Sequence, residues 1–143
     1  GLLEVGMYLL DSDVCINVLR GRECEAYEWF CRMSPDDVHL PAMVEAELRL
    51  GALKSKSEKN SRIIEDFLAP FAIVPFDSCC AQAYARIRAT LEEQGTRIDP
   101  NDLVIAATAV ANDAVLVTNN IREYKRVKEL RLATFHLMVM GEA

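Results

Sequence analysis

Residues 99–120 read DPNDLVIAATAVANDAVLVTNN, and the two halves of this stretch carry different structural signals. Asp99 followed by Pro100 is a helix start. The carboxylate can cap free backbone N–H groups, and a proline at the first helical position gives up an N–H that would have no partner anyway. Leu103 to Asn112 then continues without a breaker. Ala114–Thr118 (AVLVT) is a short, uninterrupted apolar run, as expected of a strand buried on both faces. A helix feeding directly into a buried strand is the unit from which parallel sheets are built.

The same alternation extends to either side. Residues 7–11 (MYLLD) form a short apolar run ending in an acid, Val38-His39-Leu40 a second, and Phe71–Phe76 (FAIVPF) a third in which Pro75 marks an end or an edge. Ala133–Leu137 is expected as a last strand. Between these runs, residues 14–19, 23–33, 42–54 and 62–69 have helical patterns, and 55–61 (SKSEKNS) is polar, a loop or a frayed helix start. The clearest amphipathic helix is 78–94, where Ala81, Tyr84, Ala85, Ile87, Arg88 and Leu91 share a face and Gly95 supplies the stop. A short polar turn is expected after Thr118. The pattern predicts an α/β fold, an α/β/α sandwich around a central, mostly parallel sheet of four to five strands. With no repeat or linker, one domain over 7–137 is expected, and residues 1–6 are read as a non-native extension or disordered N-terminus.

Composition narrows the function. At 143 residues, 51% hydrophobic and 27% charged, the chain has material for a core and lacks the signature of disorder. A net charge of −6 argues against a general nucleic-acid coating protein. It leaves room for a nuclease whose carboxylates need a cation before phosphate can approach. Positive charge is concentrated in Arg122, Lys125, Arg126, Lys128 and Arg131, against Glu123 and Glu129. The five cysteines are odd in number, contain no Cys-x-x-Cys and are joined by only two histidines. Zinc or a disulfide framework is therefore not expected. Buried free thiols in a reducing cytoplasm are. No apolar run approaches the ~20 residues of a membrane span, and no signal peptide is evident.

In open α/β sheets the functional crevice lies beyond the carboxyl ends of the strands. Asp11 closes the first apolar run, Thr118, Asn119 and Asn120 follow the fourth, Asp102 sits in the first turn of the helix between, and Glu47 lies in a mostly apolar helix. Such acids can hold Mg²⁺ or Mn²⁺, hard ions that take oxygen ligands. These ions can activate water and neutralise a phosphodiester without a catalytic histidine. Each acid also has a plain structural reading. Asp11 can cap the next helix, Asp102 falls at the third helical position where the helix dipole favours it, and Glu47 can be a solvated helix residue.

In combination, four blocks resemble the PIN-domain family, and within it the VapC-type toxins of bacterial toxin–antitoxin pairs: LLDSDVCI at 9–16, VEAELRLGA at 44–52, IDPNDLVIAATAVA at 98–111 and LVTNNIREYKRV at 116–127. FAIVPFD before AQAYARIRATLEEQG adds a fifth, less specific agreement. The resemblance implies a parallel sheet with acids at its carboxyl edge, Asp11, Glu47 and Asp102 holding metal, and endonucleolytic cleavage of RNA by metal-activated water that leaves a 5′-phosphate. It also implies a homodimer restrained by a small antitoxin protein. The chain departs from the family pattern at two places: Asp13 stands where Asn is frequent, and Asn119-Asn120 occupies the fourth acidic position. Asn120 is carried with the three acids as a catalytic candidate, and Glu123 as a compensating acid. Ser12, Thr118, Arg122 and Lys125 are carried as RNA contacts, the cations touching phosphate without reading sequence. Two other readings compete. One is a PIN fold that binds without cleaving. The other is an aspartyl phosphotransferase of haloacid-dehalogenase type, resembled by Asp11-Ser12-Asp13 although Cys15 stands where Thr is usual and no acidic metal pair follows a late strand.

Overall fold

The computed structural model describes residues 6–21, 25–32 and 36–134. In chain order its elements are β1 (Tyr8–Leu10), α1 (Ser12–Arg20), α2 (Glu25–Arg32), β2 (Val38–Pro41), α3 (Ala42–Lys54), α4 (Glu58–Leu68), β3 (Ile73–Val74), α5 (Ser78–Glu93), α6 (Pro100–Ala111), β4 (Val115–Val117), α7 (Ile121–Tyr124) and β5 (Arg131–Ala133). The strands make one five-stranded sheet in the order β3-β2-β1-β4-β5, and every neighbouring pair is parallel. Helices flank it. The α/β reading, its parallel sheet and its single domain are borne out.

The apolar runs explain the order. β1 and β4 sit between other strands, so their backbones pair on both sides, and Leu9, Leu10, Leu116 and Val117 are buried. Their register sets Tyr8 beside Val115, Leu9 beside Leu116 and Leu10 beside Val117. The chain runs from β1 outward through β2 to β3, then crosses back to β4 and β5 on the other side. The reversal of direction falls between β1 and β4, where open α/β sheets leave a crevice at the strands' carboxyl ends. α6 is nearly all apolar, with Ile105, Ala106, Ala107 and Ala109 fully buried. It packs along α5, which presents Ala83, Ile87 and Leu91 to the core. Among the described residues no helix is long and apolar enough to cross a membrane.

Several expectations are corrected. The polar turn after Thr118 gives way to a helix, α7. β5 begins at Arg131, two residues before the expected start at Ala133, and positions 135–137 lie outside the described residues. α4 starts at Glu58 because Ser57 caps it, its hydroxyl accepting from the Asn60 N–H at 3.2 Å. Burial of all the thiols does not hold. Cys15 and Cys80 are buried, Cys31 and Cys79 are exposed, and Cys24 lies outside the described residues. The reading of residues 1–6 also falls outside them, Gly6 excepted.

Candidate active site

Asp11 leaves β1 at the point where the chain turns into α1. Its backbone N–H donates to the Val117 carbonyl at 3.0 Å, which ties the end of β1 to the end of β4. Both carboxylate oxygens are engaged: Oδ1 accepts from the Ser12 N–H at 2.9 Å and Oδ2 from the Thr118 hydroxyl at 2.7 Å. Asp11 is therefore both the N-cap residue of α1 and an acid at the sheet edge, so the structural and functional readings describe one placement. Thr118 is in turn an acceptor, taking the Asn120 N–H at 3.0 Å.

Asp102 arrives from the other side. Asp99 caps α6, its Oδ1 accepting from the N–H groups of Asn101 at 2.9 Å and Asp102 at 3.4 Å, with Pro100 at the start as expected. That places Asp102 in the first turn, facing Tyr124, whose hydroxyl donates to Asp102 Oδ1 at 3.2 Å. Burial, reinforced by the Asp11 charge, pushes the Asp102 carboxyl up to about 7, with Asp99 and Glu123 adding smaller repulsions. Burial also lifts Asp11, and the nearby Asp13 adds to this, against the opposing donations from Thr118 and Ser12. Asp102 thus feels Asp11 as a like charge in a poorly hydrated place.

The remaining candidates divide. Glu47 comes from α3 and is joined to the site through Ser12, whose hydroxyl donates to Glu47 Oε1 at 2.7 Å. Ser12, expected at the RNA surface, thus has its proton directed at Glu47. Thr118, carried as an RNA contact, is fully buried and turned toward Asp11, because the strand that delivers it is covered on both faces. Asn120 reaches the site through its backbone and makes no side-chain cap bond to α7. Arg122 and Lys125 are exposed on and just beyond α7, and neither enters an ion pair among the described residues. Asp13 is half-buried. Burial raises its carboxyl too; Oδ2 accepts from the Asn119 N–H at 3.1 Å, and Oδ1 is buried without a hydrogen-bond partner among the described residues. Glu123 stands near enough for its charge to act on Asp102. Sequence reading missed Tyr124. The only available signal was its place four residues after Asn120, one helical turn from a residue already singled out.

The donor set suits a hard divalent cation. A buried carboxylate, Asp11, and a half-buried one, Asp102, share the sheet edge, and among the described residues no Lys or Arg is paired with Asp11, Asp13, Glu47 or Asp102. Buried carboxylates without a positive partner are costly, and a cation removes that cost. Among the described residues no three His, Cys, Asp or Glu side chains are grouped so as to hold a metal ion between them. An ion held by one or two carboxylates, with water and substrate phosphate completing its shell, is the habit of Mg²⁺, whereas structural zinc takes a closed set of four.

A family model described as "PIN domain" matches residues 8–130. Ribonuclease VapC2 of Rickettsia felis is 35% identical over 128 residues, which are 88% of this chain and 96% of that protein. The tRNA(fMet)-specific endonuclease VapC of Shigella flexneri is 32% identical over 125 residues, 87% of this chain and 94% of its relative. In three dimensions the chain is similar to a chain of DNA-bound VapBC from Salmonella typhimurium, with a TM-score of 0.85 at 29% identity, covering 90% of this chain and 98% of that one. The haloacid-dehalogenase reading of Asp11-Ser12-Asp13 is set aside by these matches. Acids meeting where β1 and β4 end, on a sheet that these relatives share nearly end to end, place this chain in the PIN-domain family, on its VapC branch.

Proposed function

We propose that this chain is the toxin ribonuclease of a toxin–antitoxin pair, an endonuclease that hydrolyses RNA phosphodiester bonds with a divalent cation, Mg²⁺ or Mn²⁺, held by Asp11 and Asp102. The observation that carries the proposal is the confrontation of these two carboxylates, without a basic partner among the described residues, at the sheet's reversal point. The nuclease unit is residues 7–137.

The bound cation would supply charge neutralisation at the phosphate and an activated water. The chain's own residues prepare that place. Ser12 N–H and the Thr118 hydroxyl fix the plane of the Asp11 carboxylate. Asp99 and Pro100 fix the first turn of α6, and so the place of Asp102. Glu47, held by Ser12, adds a third negative charge at the rim and completes the acidic set. Asn120 closes the strand end behind Asp11 through its bond to Thr118. Arg122 and Lys125, in no ion pair among the described residues, supply positive charge on the adjoining α7 segment, suited to RNA phosphates on either side of the cleaved bond.

The partners follow from the same reading. An apolar groove lined by Ile16, Leu19, Leu48, Ile63 and Ile64, with Arg20 at its side, runs along the helices that carry Ser12 and Glu47. It offers an antitoxin segment a place beside the acids. A second copy of the chain is the other expected partner, and a toxin that cuts RNA belongs in the cytoplasm.

The test is to incubate the purified chain with initiator tRNA, and with other structured RNAs, in Mg²⁺ or Mn²⁺, beside Asp102→Asn. The expected result is metal-dependent fragments bearing 5′-phosphates, absent with the variant and with chelator. Equal cleavage by the variant would place the chemistry elsewhere. Metal binding without cleavage of any RNA would favour a fold that binds and does not cut.

A further inference from the structure

Tyr124 is the largest fully buried side chain among the described residues, and it belongs to the main apolar cluster. A buried phenol needs a partner for its hydroxyl. Here the partners are carboxylates only: Oη donates to Asp102 Oδ1 at 3.2 Å and lies close enough to Asp11 to act on it as well. The hydrogen bond runs to Asp102, while Asp11 accepts from Ser12 and Thr118. No other hydrogen bond among the described residues reaches the Asp102 carboxylate, which leaves Oδ2 open.

The helix that delivers the phenol is itself anchored at the site. α7 is four residues long, too short to be stable alone. Its entry is fixed by the Asn120 N–H on Thr118, which holds Asp11, and its exit by the Tyr124 ring in the core. Positions 118–124 therefore form a short strap that offers one hydroxyl to each of the two facing acids. Without the phenol, Asp102 would be held only by its backbone in the first turn of α6, free to rotate away from the like charge of Asp11.

We propose that Tyr124 is a positioning residue of the metal centre, its hydroxyl fixing the orientation of the Asp102 carboxylate that would hold a cation together with Asp11. This rests on the reading of the site as a divalent-metal nuclease. Outer partners that orient metal-bound carboxylates typically affect affinity or activity by 10–100-fold.

The test is Tyr124→Phe, which keeps the buried ring and removes only the hydroxyl. With Mn²⁺ alone as the probe, calorimetry is expected to give roughly 10-fold weaker binding than the natural chain. In cleavage assays kcat should fall while KM for RNA holds. Binding within about twofold of the natural chain, with kcat unchanged, overturns the proposal. A second measurement is made on the natural chain. The chain has four tyrosines, and in protein labelled with 3-fluorotyrosine the Tyr124 resonance, assigned by its loss in Tyr124→Phe, should move on addition of Mg²⁺. An unmoved resonance in protein that demonstrably binds Mg²⁺ also overturns it. If the natural chain neither binds Mn²⁺ nor cuts RNA, it is the nuclease reading that fails.

Discussion

Asp102 sits where opposing forces can be ranked. The dipole of α6 and the Tyr124 hydroxyl both favour its charged form. Burial and the Asp11 charge oppose it and prevail, since the carboxyl ends up near 7, well above the ordinary value. A group with a raised folded-state pKa stabilises the fold when protonated; that contribution is complete below its unfolded value and is lost as pH rises through its folded value. Metal-free protein should accordingly gain stability as pH is lowered from 8 toward 5, with Asp11 and Asp13 contributing in the same direction. Urea midpoints measured across that range in chelator will check it, and a flat or opposite slope contradicts the assigned environment. Asp102→Asn should weaken the slope and leave chelated protein at least as stable as the natural chain, because a poorly hydrated charge is lost. The same variant should lower kcat by roughly 10²–10³-fold or more, the scale seen when one preorganised electrostatic group is removed from an active site. A large loss of stability instead would mean that Asp102 acts mainly as a helix-end acid.

Among the elements, α6 and β4 were the most readable in the sequence. A capping acid, a proline and a breaker-free apolar run define a helix locally, and an apolar β-branched run defines a buried strand. The cap can be tested apart from the chemistry. Asp99→Ala should cost about 1 kcal/mol of stability, the usual worth of such a cap. It should also reduce cleavage, because Asp102 N–H shares that cap. Asp99→Ser should recover most of both, and thermal melts with cleavage assays on the pair will separate the cap from the charge. Ala107, fully buried on the helix that packs along α5, should tolerate no enlargement. Ala107→Leu is expected to cost roughly 1–3 kcal/mol through overpacking, readable as a lowered urea midpoint. Neither α7 nor β5 had such local signals. IREY is polar and short, and RLA places exposed Arg131 on an edge strand. Both are set by what they dock onto, which is a tertiary fact.

At the scale of the molecule, folding and metal binding share one free energy. A cation that binds only the folded chain stabilises it by about 2.7 kcal/mol at a hundredfold excess over its dissociation constant. Mg²⁺ should therefore raise the melting temperature of the natural chain, chelator should reverse it, and Asp11→Asn should abolish the response. A melting temperature indifferent to Mg²⁺ and Mn²⁺ would remove the metal from the account. The places of the three candidate acids in the fold were legible because each follows or interrupts an element that sequence periodicity could place. Their connections were not. The Ser12–Glu47 bond spans 35 residues, the Thr118–Asp11 bond 107, and the Tyr124–Asp102 bond joins two helices through a ring that reads as ordinary core. The span between Asp11 and Thr118 has a consequence for biosynthesis. β1 emerges early from the ribosome, yet its central place in the sheet is completed only by β4, and the Thr118 hydroxyl that steadies its acid follows immediately after. A chain interrupted before Val115 carries Asp11, Glu47 and Asp102 but no strand end to gather them. The order of synthesis is thus the order of assembly, the acids first and the strand that gathers them afterwards.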